Sequence, residues 1–134
     1  MGKGCVFCDK PDGEKIFSDD FVYACLDKNP VSRGHVLIIT NRHIKSWFDM
    51  SIDERDAVWA ALLLLRDFLD EKFAPHGYNI GINSGIAAGQ TIDHLHIHLI
   101  PRYLGDIDDP QGGVRGVIPE KRIYQKGGNR QKVK

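Results

Sequence analysis

Between Gln90 and Arg102 polar and apolar residues alternate: His94, His96 and His98 are interleaved with Leu95, Ile97 and Leu99. Period two is that of a half-buried strand, so the three imidazoles are expected on one face and the aliphatic side chains on the other. Similar patterning predicts a short extended piece at Lys15–Ser18, a turn at Asp19-Asp20, and a strand over about Phe21–Asp27 that Asn29-Pro30 breaks. Gly34 to Thr40 is nearly continuous Val, Leu and Ile, the signature of a more deeply buried strand, and should pair antiparallel with the strand before it. Ser51-Ile52-Asp53-Glu54 is a Ser-x-x-Glu capping box with acidic residues where a helix dipole favours them, so a long helix is predicted from there to just before Pro75-His76-Gly77. Val58, Ala61, Leu62, Leu65, Phe68 and Leu69 form its sheet-facing stripe. Trp59 and Leu63 lie off that stripe and predict a second buried face, a symmetric dimer interface. Tyr78–Ser84 alternates as a further strand, and Gly85–Gly89 follows as a small-residue loop whose backbone N–H groups can approach an anion. Val117-Ile118-Pro119 reads as a short edge strand or extended segment.

The length of 134 residues suits a single domain, taken as residues 1–120, followed by a basic tail over 121–134 with few apolar anchors and expected disorder. Eighteen basic and 18 acidic residues cancel, which argues against a nucleic-acid partner or an anionic membrane surface. The longest apolar run, Ala57 to Leu65, is too short to span a bilayer, and Met1–Val6 carries no signal-peptide or myristoylation pattern. Three cysteines, two of them in the Cys5-x-x-Cys8 pair, indicate metal or redox chemistry in a reducing compartment rather than a disulfide framework. The expected location is the cytoplasm. Cys25, inside an apolar run, reads as a core residue.

Three imidazoles on one strand face allow one ring to attack while its neighbours polarise the same phosphate or carbonyl. They could also ligate zinc as a hydrolytic metal, or form no more than an exposed polar stripe. His94-Leu95-His96-Ile97-His98-Leu99-Ile100 resembles the signature of the histidine triad superfamily, three histidines each followed by an apolar residue. The likeness runs over about residues 5–104, through the cysteine knuckle, the Gly34-His35-Val36-Leu37-Ile38 block, the capped helix and the glycine-rich loop. Gly89-Gln90-Thr91 and Pro101-Arg102 resemble the fragile-histidine-triad branch, whose members hydrolyse dinucleoside polyphosphates. Asp27 looks more like the histidine-triad nucleotide-binding branch of phosphoramidate hydrolases.

The resemblance implies an α+β fold with an antiparallel sheet of about five strands, one long helix and a short one, the sheet extended across a homodimer. It also implies a nucleotide hydrolase that attacks the α-phosphate and passes through a nucleotidyl-histidine. His96 would be the nucleophile, with His94, His98 and Gln90 as its catalytic companions. Asp27, Asn83, Gly89, Gln90, Thr91 and His98 would bind the substrate, with Asp27 on the ribose hydroxyls. His35 would orient the triad, and Phe7, Leu26 and Ile38 or their neighbours would line a slot for the base. Relatives that pair such cysteines with two histidines imply a structural zinc on Cys5, Cys8, His43 and His94; no organic cofactor is expected. The alternatives are a phosphoramidate hydrolase using the same His96 chemistry and a nucleotide-binding module without catalysis.

Overall fold

The computed structural model describes residues 4–124. Met1–Lys3 of the opening segment and residues 125–134 of the basic tail lie outside the described residues. Contacts divide the chain into one compact unit ending at Tyr103 and a second beginning at Leu104.

The first unit holds the strands β1 (Lys15–Ser18), β2 (Val22–Leu26), β3 (Val36–Thr40), β4 (Gly77–Gly81) and β5 (His96–Arg102), and one long helix, α1 (Ile52–Phe73). The strands form a single antiparallel sheet in the order β1-β2-β3-β5-β4. The predicted capping box starts α1. Ser51 Oγ accepts from the Glu54 N–H at 3.1 Å, and Glu54 Oε1 accepts from the Ser51 N–H at 2.8 Å. The helix ends at a left-handed Ala74, before Pro75.

Register divides the sheet into two faces. Ile38 pairs with Ile97, whereas Leu37 pairs with His98 and Ile39 with His96. Val22, Ala24, Val36, Ile38, Ile97 and Leu99 therefore pack against Ala57, Val58, Ala61, Leu65 and Leu69 of α1. Tyr23, Cys25, Leu37 and Ile39 share the opposite face, where Phe7 covers them. At Gly34, just before β3, φ is +89° and an added Cβ would lie 2.9 Å from the Phe73 ring, so the entry to this strand requires glycine.

Several expectations need correction. Phe68 is exposed and Leu62 only partly buried, because the helix face toward the sheet is centred on Ala57, Ala61, Leu65 and Leu69. His94 precedes β5 in a bend and is fully buried; like His96 it packs against the Phe7 ring, but it lies outside the strand and does not line the cleft. Irregular backbone begins after Gly81, and β5 instead runs on through Pro101. Proline is tolerated there because pairing with β3 stops at Leu99, leaving only β4 beside it.

The second unit contains two short 3-10 helices, Gly113–Val117 and Pro119–Lys121, where an edge strand or extended segment was anticipated. The Arg122 guanidinium donates to the carbonyls of Asp109 and Gln111, which gives this unit internal ties of its own. Among the described residues, no helix is long and apolar enough to cross a membrane.

Candidate active site

A cleft of about 380 Å³ opens over the Tyr23, Cys25 and Leu37 face of the sheet. Asp27, Asn83, Gly89, Thr91, His96 and His98 line it, as do Val6, Phe7, Lys10, Leu26, Lys28 and Leu37. Most of the anticipated substrate residues, drawn from β2, β5 and the loop between β4 and β5, thus come together. Ile38 does not, since it points into the α1 core and its neighbour Leu37 faces the cleft; strict alternation along β3 was the signal for that. Lys10 and Lys28 were not anticipated, because nothing in a lone lysine's sequence context marks a cleft.

Gln90 is 7 % exposed and absent from the cleft wall. Its Oε1 accepts from the Gly85 N–H at 2.9 Å, and its amide nitrogen donates to the carbonyls of Lys45 and Ile92 at 3.0 and 3.1 Å. Its side-chain amide braces the glycine loop and, unlike the other anticipated substrate residues, does not face the cleft.

Backbone groups fix the protons of the histidines. A backbone N–H can only donate, so Val31 N–H, 3.2 Å from His35 Nδ1, leaves that nitrogen bare and the His35 proton on Nε2. His35 Nε2–H lies 2.9 Å from His98 Nδ1 and 3.5 Å from Asp27 Oδ2, and so donates chiefly to His98. His98 must then carry its own proton on Nε2. His96 has the opposite arrangement: its Nδ1–H donates to the His94 carbonyl at 2.8 Å, which leaves Nε2 as a free lone pair. The two ring centroids are 5.2 Å apart. A nucleophilic nitrogen thus stands beside a ring N–H donor. Burial, with His96 and His35 adding, holds His98 down at about 4, and burial also lowers His35 despite nearby Asp27. Both rings are neutral at physiological pH.

His94 serves a different centre. Its Nε2–H donates to the Thr40 carbonyl at 2.7 Å, and its Nδ1 faces the sulfurs of Cys5 and Cys8 at 3.4 and 3.5 Å. Cys8 Sγ is also 3.0 Å from His43 Nδ1. The four donor atoms lie within 4.8 Å of one another and could hold a metal ion. The donor chemistry suits zinc, and an imidazole whose other nitrogen donates to a backbone carbonyl is the usual support for such a ligand. Burial and the adjacent Cys5 push the Cys8 thiol up to about 11, a repulsion that a cation reverses.

Asp27, His35 and His98 also cluster, but they suit a proton better than a metal. A cation on His35 Nε2 would force the ring proton onto Nδ1, against the Val31 N–H. Neither cluster contains all three histidines of the motif, which removes the reading in which they jointly ligate a catalytic zinc.

Residues 10–105 match the family model described as the HIT domain. The chain is 36 % identical over 102 residues to the adenylylsulfatase HINT3 of Arabidopsis thaliana, covering 73 % of this chain and 52 % of that protein. It is 30 % identical over 110 residues to the asymmetrical bis(5'-nucleosyl)-tetraphosphatase of Schizosaccharomyces pombe, covering 81 % and 60 %. Among solved structures, a zinc-bound histidine triad family protein from Mycobacterium smegmatis superimposes with a TM-score of 0.71 at 33 % identity, covering 79 % of this chain and 80 % of that one.

Proposed function

The chain belongs to the HIT domain family, and from that premise we propose that it hydrolyses dinucleoside polyphosphates at the α-phosphate through a nucleotidyl-histidine. One observation carries the reading: the hydrogen bond from His96 Nδ1 to the His94 carbonyl leaves His96 Nε2 unprotonated on the cleft. In the first step that lone pair forms a bond to the α-phosphorus while the bond to the bridging oxygen breaks, and the remaining polyphosphate leaves with the electron pair. Water then attacks the same phosphorus, the P–N bond breaks, and a nucleoside monophosphate is released. His98 Nε2–H donates to the phosphate oxygens, and backbone at Gly89 with Asn83 and Thr91 supplies neutral hydrogen bonds. Asp27 receives the ribose hydroxyls, and His35 keeps the His98 proton on the substrate side.

The protonation of His98 supports an anhydride as substrate. A neutral imidazole N–H is a hydrogen-bond donor and a weak acid, which is enough for a polyphosphate leaving group of low basicity. An amine leaving group would need a full proton. The commitment of Gln90 to the loop favours a second reading, since the likeness to the polyphosphate branch rested partly on that residue. That reading is a phosphoramidate hydrolase with the same nucleophile, and the Arabidopsis adenylylsulfatase shows that relatives are named for other adenylyl leaving groups.

Cys5, Cys8, His43 and His94 would hold a structural zinc. With four protein ligands no position would be left open for water or substrate, so the ion would supply cross-linking rather than reaction chemistry. It would tie the N-terminal knuckle to the residue whose carbonyl orients His96. The three free cysteines fit a reducing cytoplasmic location. The exposed apolar face of Trp59, Leu63 and Ile80 fits a homodimer.

The test is His96→Ala assayed on diadenosine tetraphosphate and on an adenosine phosphoramidate. Turnover of both is expected to vanish while nucleotide binding changes by no more than about 1–2 kcal/mol, because the lost group acts in the transition state. Wild-type turnover that strongly favours the phosphoramidate would select the second reading. Wild-type protein that forms no nucleotide adduct on rapid quench and turns over neither substrate would leave a binding module.

A further inference from the structure

Two thiols as close as those of Cys5 and Cys8 have a chemistry that a structural metal does not use, since they can be oxidised together. The Asp9 N–H donates to the Cys5 carbonyl at 3.0 Å and closes a turn that folds the two residues toward each other. Within it the Cys8 N–H donates to Cys5 Sγ at 3.3 Å, and the two sulfurs lie within 4.8 Å of each other. Both cysteines are free and only partly buried, so a small solute reaches them, whereas Cys25 is 2 % exposed. A thiolate with a second thiol beside it is the arrangement in which oxidation stops at a disulfide.

The contacts of this pair determine what a disulfide changes. Cys5 Sγ and Cys8 Sγ face His94 Nδ1 at 3.4 and 3.5 Å, and Cys8 Sγ faces His43 Nδ1 at 3.0 Å. Only a thiolate is a metal ligand, so oxidation leaves the four-residue cluster with two imidazoles, too few for a structural zinc. Two contacts join this cluster to the nucleophile. The carbonyl of His94 accepts from His96 Nδ1–H at 2.8 Å. Phe7 stands between the two cysteines in sequence, and its ring centroid is 5.9 Å from that of His94 and 5.0 Å from that of His96. We propose that Cys5 and Cys8 form a peroxide-sensitive clasp, whose disulfide opens the cluster, disturbs the Phe7 and His94 contacts with His96, and lowers turnover until a thiol restores it.

The chemistry balances with hydrogen peroxide as oxidant. The Cys8 thiolate, on the exposed His43 side of the cluster, forms an S–O bond as the O–O bond breaks and hydroxide leaves. The Cys5 thiolate then attacks the Cys8 sulfur; the S–S bond forms, the S–O bond breaks and a second hydroxide leaves. The pair loses two electrons, and the peroxide becomes two waters with two protons from solvent. Thiol reductants of a reducing compartment reverse the step.

This inference rests on His96 as the nucleophile, and the experiment separates the two. The full chain is loaded with zinc(II) and treated with hydrogen peroxide. Mass mapping locates the disulfide, a chromogenic chelator reads released zinc, and ¹⁵N NMR of the imidazoles reads the state of His96. Expected are a Cys5–Cys8 bond, release of the zinc, and shifted His96 nitrogens. Turnover of diadenosine tetraphosphate should fall at least about tenfold, the scale on which a slightly misplaced reacting group is felt. Dithiothreitol should reverse all but the zinc loss, and added zinc the rest. Cys25→Ser should respond as the wild type does. Cys5→Ser, checked for folding by circular dichroism, should keep its own untreated His96 signals and turnover in peroxide. A disulfide through Cys25, zinc retained after the Cys5–Cys8 bond forms, unchanged His96 nitrogens, or an equal response in Cys5→Ser overturns the inference. A reversible His96 shift in a chain that turns over neither the tetraphosphate nor the phosphoramidate sinks the hydrolase reading and keeps the clasp. Turnover through a His96 adduct that the disulfide leaves untouched does the reverse.

Discussion

His96 and His98 have the same side chain two residues apart, yet each offers the cleft the opposite proton state. The difference comes from what lies behind each ring: a carbonyl at His96, and a second imidazole at His98 whose own state is set by a backbone N–H. The relay has a consequence for stability. His98 titrates at about 4 rather than 6.5, with His96, His35 and Asp27 as the titratable groups facing it. From pH 6.5 down to about 4 the unfolded chain takes up a proton that the folded chain refuses, so stability falls with pH across that window. We expect a loss of roughly 1–3 kcal/mol from this site. Urea midpoints at pH 7 and pH 4.5 measure it, and His98→Asn should show a shallower fall than the wild type; parallel slopes would refute the assignment. The motif made these residues conspicuous in the sequence. Their tautomers were not legible, because both partners, Val31 N–H and the His94 carbonyl, are backbone atoms whose sequence carries no special mark.

β5 gives the same lesson about a stretch of chain. Alternation placed His96 and His98 opposite Ile97 and Leu99, and the strand follows it. The alternation also included His94, which stands just before the strand and is committed elsewhere: its Nε2–H bonds the Thr40 carbonyl and its Nδ1 faces two sulfurs. A local period cannot register a competing partner some fifty or ninety residues distant in sequence. The helix was more legible, since its cap is made by residues three apart. β3 depends on one backbone position before it. Gly34→Ala should destabilise the fold by about 1–3 kcal/mol, through the strained φ and the contact with Phe73, and a thermal or urea melt reads it directly. A melt indistinguishable from wild type would show that the turn relaxes without cost.

For the assembly as a whole, the sheet ends in β4, and α1 beside it exposes Trp59 at 62 % and Leu63 at 44 %. With Leu62, Tyr78, Ile80 and Leu99 these residues line an apolar groove of about 200 Å³. The proposed homodimer would cover this face, whose side chains no contact among the described residues buries. Sedimentation equilibrium should give a dimer for the wild type and a monomer for Leu63→Glu, and a monomeric wild type would refute it. Local spacing was enough to indicate the helix and its cap, the strand-forming stretches, and the motif whose resemblance implied the chemistry, because each depends on residues within a few positions of one another. Which strand lies beside which, that Leu37 and Lys10 face the cleft, that Gln90 braces a loop, and which nitrogen of each imidazole is bare all followed from packing. Those outcomes depend on atoms brought together from distant parts of the chain, where hydrogen-bond partners and burial are set by the fold and not by neighbours in sequence.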